Sequence, residues 1–150
     1  MMIGDGRPVF LDTNTLVYAS LSESPFHQVT METIQSFYDA GVELCISRQI
    51  IREYLATLTR PQQFTNALPI ATVLEDIQYF QSRFLIAEDS SQVTERLLTL
   101  MEEIPIGGKQ VHDANIVATM LVYGIPQLLT YNTSDFARFS GLITILPLQN

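Results

Sequence analysis

At 150 residues the chain has the length of one domain, 1–150, enough to bury roughly 68–70% of its unfolded surface. Its net charge of −8, with eight Lys and Arg against sixteen Asp and Glu, excludes a protein that holds nucleic acid by broad non-specific attraction. It leaves open an enzyme that acts on phosphates through bound cations, because such ions reverse the local sign.

Hydrophobic residues make up 47% of the chain and charged ones 16%, a balance that predicts apolar surface covered by a partner. No apolar run approaches the roughly 20 residues of a membrane span, and the N-terminus lacks the basic, apolar, small-residue pattern of a leader. A cytoplasmic location with no membrane association is expected. Cys45 is the only cysteine, so no intrachain disulfide forms, and GVELCIS makes it a core strand thiol.

Strand-like and helix-like segments alternate along the chain. A first strand over 9–11 ends on Asp12, with Thr13 and Asn14 poised to start a helix from Thr15. A second helix spans 25–40 and Gly41 closes it; a strand follows over 42–46. Ser47 caps a helix over 48–59 that Arg60 and Pro61 terminate. The polar segment 62–66 is a loop. A helix over 69–81 leads to a strand over 84–87, and Ser90 or Ser91 caps a helix to Glu103. After the loop IPIGGKQ, VHDANIVATMLVYG carries Ile116, Val117, Met120 and Leu121 at helical spacing before Gly124 stops it. A strand over 126–130, a helical turn over 135–139 and a strand over 142–146 complete the chain. This alternation predicts an α/β fold, a three-layer α/β/α sandwich with a central, mostly parallel sheet.

Four acidic or amide side chains stand where apolar runs end or begin: Asp12, Glu53, Asp113 and Asn132. Ligands bind at that edge of an open α/β sheet. Cleaving a phosphodiester requires charge stabilisation on the attacking and leaving oxygens, which Mg²⁺ or Mn²⁺ held by carboxylates supplies. Asp12 at a strand end and Asp113 in a first helical turn are the first two ligands, though an acid such as Asp113 is also an ordinary helix-start residue. Glu53 lies between the apolar pairs Ile50, Ile51 and Tyr54, Leu55, where burial demands a partner; the plainer reading is an edge residue paired with Arg52. Asn132 follows a strand and offers a carbonyl oxygen, yet Asn is common in turns. Asp135 is either an N-cap for DFARF or an outer ligand. His112 reads as a helix-start residue.

Taken in order, D-T-N after an apolar strand, S-x(5)-E, D-A-x-I-x-A-T, L-x-T-x-N-x-x-D-F and G-L-x-x-I-x-P resemble the PIN-domain ribonucleases, with the VapC toxins of toxin–antitoxin pairs as the nearest group. The resemblance spans Val9 to Pro147. It implies a metal-dependent endoribonuclease in which Asp12 and Asp113 hold Mg²⁺ or Mn²⁺. Glu53 would complete the site and help activate water, and Asn132, where the family often has Asp, would ligate or orient. In-line attack would leave a 5′-phosphate and a 3′-hydroxyl. Thr13, Asn14, Ser47, Thr130 and Asp135 are supporting candidates behind these ligands. Arg48, Arg52 and Arg138 are candidates for RNA backbone contacts, with solvated surface charge as the alternative. The expected partners are an RNA substrate, an antitoxin protein and a second copy of the chain. Helix faces carrying Ile34, Phe37, Tyr38, Ile77 and Phe80 are the expected interface.

Competing classes fit less well. A haloacid-dehalogenase-type phosphatase needs a second acid two residues after the first, where Asn14 stands. A response-regulator receiver needs a lysine after a late strand, and the only lysine is Lys109. The alternative that survives is a degenerate module of the same fold that binds RNA or a protein without cutting.

Overall fold

The computed structural model describes residues 4–62 and 66–148, so the centre of the loop expected over 62–66 lies outside the described residues. In chain order the elements are β1 (Val9–Leu11), α1 (Thr13–Ser20), α2 (His27–Asp39), β2 (Leu44–Ser47), α3 (Arg48–Leu58), α4 (Ile70–Arg83) and β3 (Leu85–Ala87). Then come α5 (Ser91–Glu103), α6 (Gln110–Tyr123), β4 (Gln127–Thr130), α7 (Thr133–Phe136), a 3-10 turn (Ala137–Phe139) and β5 (Thr144–Pro147).

The strands form one sheet in the order β3-β2-β1-β4-β5, and every pairing among the described strands is parallel. The expected sheet is thus wholly parallel. Right-handed crossovers place α1 to α4 on one face and α5 to α7 on the other, giving the three layers. Packing agrees, with α1 against α2 and α3, α5 against α6, and α6 against α7. The winding reverses between β1 and β4, so the crevice at their C-terminal ends is the switch point where such sheets bind ligands.

Local chemistry explains the element ends. Ser47 accepts the Ile50 N–H and Ser90 accepts the Val93 N–H, as N-caps do. At the end of α2, Gly41 takes φ 76° while the Val42 N–H reaches the Phe37 carbonyl at 3.0 Å. That helix-ending motif occupies Val42, so β2 starts at Leu44 rather than at 42. Similarly, Leu142 and Ile143 both donate to the Phe139 carbonyl, and β5 begins only at Thr144. Pro147 is tolerated because β5 is an edge strand.

The core is continuous from β1, β2 and β4, whose residues are all buried, and it includes Cys45. It also takes in Phe37 and Phe80, which removes both from the expected interface surface; Tyr38 remains exposed. No described helix is long and apolar enough to cross a membrane.

Candidate metal centre

Asp12 follows β1 directly, and both of its carboxylate oxygens are engaged from within the fold. Oδ1 accepts the Thr13 N–H at 2.8 Å, which also caps α1; Oδ2 accepts the Thr130 hydroxyl at 2.7 Å and the Asn14 amide at 3.3 Å. Asn14 in turn takes the Tyr131 N–H at 3.2 Å. Only 5% of Asp12 is exposed, so its pKa is set by a contest. Burial wins and lifts it from 3.8 to about 6, against the lowering effect of Thr130, Thr13 and Asn14; the charge of Glu53 adds to the rise. A buried carboxylate that stays substantially ionised near neutrality is a ready cation ligand.

Glu53 is half-buried on α3, and its partners answer the question its sequence position raised. It does not pair with Arg52. Thr13 Oγ1 donates to Glu53 Oε1 at 2.6 Å, and Gln49 Nε2 donates to Oε2 at 2.9 Å. Buried Gln49 also bonds the His112 carbonyl at 2.8 Å and accepts from Asn115 Nδ2 at 2.8 Å. One amide therefore ties α3 to the first turn of α6, the turn that carries Asp113.

Asp113 is partly buried, and its pKa is also lifted to about 6. Burial contributes most, followed by the charges of Asp12, Asp135 and Glu53. That mutual influence is the electrostatic signature of carboxylates gathered at one place. Asn132 is the residue before α7; its carbonyl accepts the Asp135 N–H at 3.1 Å in the turn that opens that helix, and its side chain does not cap it. Its N–H is taken by Thr130 Oγ1 at 3.0 Å. Asp135 lies inside the first turn of α7 and is therefore not its N-cap; it acts on Asp113 through charge.

Asp12, Glu53, Asp113 and Asn132 line one pocket of about 540 Å³ together with Thr13, Asn14, Tyr18 and Arg60. The donors are all oxygen, the set that Mg²⁺ and Mn²⁺ take. They fit such an ion in chemistry without forming a closed cage, since among the described residues no three acidic, His or Cys side chains converge on one point.

Other expected site residues lie elsewhere. Ser47 caps α3 and touches no site carboxylate. Arg48 pairs with Glu88 at 2.8 Å, Arg52 with Asp89 at 3.7 Å, and Arg138 donates to the Pro105 carbonyl at 3.2 Å; none lines the pocket. The helical wheel explains the first two: they lie five residues and one residue before Glu53 and project from another side of α3. Gln49, Asn115 and Arg60 are the residues the sequence reading passed over. A signal existed for Gln49, which precedes Glu53 by one helical turn at i, i+4.

Comparison with known proteins places this geometry in a family. The PIN domain family model matches residues 9–142. Ribonuclease VapC48 of Mycobacterium tuberculosis is 24% identical over 133 residues, covering 87% of this chain and 91% of the relative. Among solved structures, VapBC2 of Rickettsia felis, bound to a DNA fragment from its promoter, superposes with a TM-score of 0.71 at 19% identity, covering 94% of this chain and 98% of that one. The Mycobacterium tuberculosis VapC20 structure, described as a sarcin-ricin loop cleaving toxin, gives 0.68 at 13%, covering 93% and 99%. At these identities the structural likeness speaks for the fold, and the family match across most of the chain speaks for descent. The chain belongs to the PIN domain family.

Proposed function

We propose that this protein is a Mg²⁺- or Mn²⁺-dependent endoribonuclease and the toxin of a toxin–antitoxin pair, acting in the cytoplasm as a homodimer. The observation that carries the reading is the position of Asp12, buried at the switch point of the sheet in one pocket with Glu53, Asp113 and Asn132. Membership of the PIN family and the likeness to a ribonuclease and to toxin–antitoxin complexes support it.

Asp12, Asp113, Glu53 and Asn132 would hold the cation, which when bound supplies charge stabilisation to the attacking and leaving oxygens of the phosphodiester. Thr13 and Gln49 fix both oxygens of Glu53, leaving its outward lone pairs to orient a water and accept its proton. Thr130 and Asn14 fix Asp12, so its carboxylate does not swing as the substrate enters. Asn132 orients the substrate or completes the ligand set. An antitoxin would silence the site by placing a basic side chain among these carboxylates, in competition with the cation.

The test is direct. Purified protein incubated with RNA in Mn²⁺ or Mg²⁺ should produce fragments with 5′-phosphates, and EDTA should abolish them. RNA left whole at every metal concentration would favour a module that binds without cutting.

A further inference from the structure

The pocket extends well beyond the carboxylates. Asn14, Tyr18 and Leu21 of the α1 segment line it at i, i+4, i+7, and Glu53, Thr57 and Arg60 of the α3 segment line it at the same spacing. Two packed helices therefore present facing stripes, and the space between them runs from the acidic end toward Arg60. Along α3 that distance is about 10 Å.

The far end has a chemistry of its own. Arg60 is the one basic residue among the described lining residues. Unlike Arg48, Arg52, Arg83 and Arg138, which are engaged by Glu88, Asp89, two tyrosine rings and the Pro105 carbonyl, its guanidinium has no partner among the described residues. Tyr18 stands on the opposite wall. Its ring lies 4.9 Å from Phe26 and 5.1 Å from Tyr131, neither of which lines the pocket, so it is braced from behind. His27 Nδ1, 2.9 Å from the Tyr18 carbonyl, fixes the same residue through its backbone.

We propose that this end of the pocket is a subsite for one unpaired nucleotide next to the scissile bond, with Tyr18 stacking on its base and Arg60 binding its flanking phosphate. The assignment rests on the ribonuclease reading of the acidic end. An aromatic ring and a guanidinium on opposite walls match the two parts of a nucleotide, and only an unstacked, single-stranded base reaches a ring inside a cleft. In a chain of net charge −8, a guanidinium with no partner among the described residues, in the same pocket as the carboxylates, also marks where phosphate enters. The same cation repels a basic side chain, so the far end suits RNA rather than a basic inhibitor tail.

The experiment measures binding of a short fluorescein-labelled oligoadenylate, by anisotropy in Mn²⁺, and its cleavage under the same conditions. Arg60→Ala should weaken binding and raise KM about tenfold, with little change in kcat, and lower the salt dependence of binding by about one counterion. Arg52→Ala removes the same charge elsewhere and should change KM less than about twofold. Tyr18→Leu should weaken binding about tenfold and Tyr18→Phe should recover it, since the ring is the working part. Equal effects of Arg60→Ala and Arg52→Ala, or equal affinities of Tyr18→Leu and Tyr18→Phe, would overturn the subsite. Asp12→Asn separates this from the parent reading: cleavage that survives it contradicts the ribonuclease site, whereas cleavage lost there, with Arg60→Ala and Tyr18→Leu at wild-type affinity, overturns the subsite alone.

Discussion

Thr130 Oγ1 donates to Asp12 Oδ2 at 2.7 Å, joining the last residue of β4 to the first residue past β1 across the switch point of the sheet. The same hydroxyl accepts the Asn132 N–H, so one side chain positions two of the four pocket donors. Thr130→Val keeps the shape and deletes both bonds. Its stability should fall by about 1–2 kcal/mol in urea unfolding at neutral pH, because a buried carboxylate oxygen loses its best donor. The Thr130 bond lowers the Asp12 pKa, so its removal should also move the acidic limb of the pH–rate profile upward. Thr130→Ser should restore most of both effects; a Val variant with an unmoved pH profile would show that the bond does not tune Asp12.

Gln49 is the corresponding tie on the other wall. Gln49→Leu strips donors from Glu53 and from the His112 carbonyl and leaves the Asn115 amide without its acceptor. A loss of about 2–4 kcal/mol is expected, since several buried polar groups are orphaned at once. Metal-dependent cleavage should drop as well, because Glu53 and the first turn of α6 lose their common support. Unchanged unfolding would place this network outside the stabilising core.

Asn132 reduces the charge of the donor set. If its carbonyl faces the cation, Asn132→Asp should bind Mn²⁺ more tightly in calorimetric titration and reach half-maximal cleavage at lower Mn²⁺. Equal affinities for the two proteins would remove Asn132 from the ligands.

The pH dependence of the metal-free protein follows from Asp12 and Asp113, both raised from 3.8 to about 6. Carboxyls whose folded pKa exceeds the unfolded value make the folded state bind more protons between pH about 4 and 6. Metal-free stability should therefore fall as pH rises through that window and level off above it. Mn²⁺ should reverse the trend, stabilising the protein more above pH about 6, where protons no longer compete for the carboxylates. Melting temperatures across pH, with and without Mn²⁺, check both signs; a metal-free melting temperature that climbs through the window would contradict the raised values.

Much of this arrangement was legible in the chain itself. An uninterrupted Val9-Phe10-Leu11 run followed by a polar triplet fits a strand buried on both faces that ends at the sheet edge, and β1 is that strand. Ser47 and Gly124 signal helix ends through groups that any α-helix must satisfy. Less visible was which segments lose residues to turns: Val42, Leu142 and Ile143 are strand formers whose N–H groups are spent on ending the helical segment before them. Arg60 and Asn115 could not be singled out, since nothing local distinguishes them from solvated polar residues. Their roles exist only once α3 meets α1 and α6. The surface arginines misled for the same reason, because positive charge alone does not say which side of a helix it occupies.

The most direct test of the account is the paired substitution Asp12→Asn and Asp113→Asn, each read for Mn²⁺-dependent RNA cleavage and for metal-free melting temperature. The account predicts that both variants lose cleavage while melting at or above the wild-type temperature, because each removes one member of a mutually repelling set whose ionisation the fold resists. Full Mn²⁺-dependent cleavage in both variants, with the fold intact by circular dichroism, would contradict it.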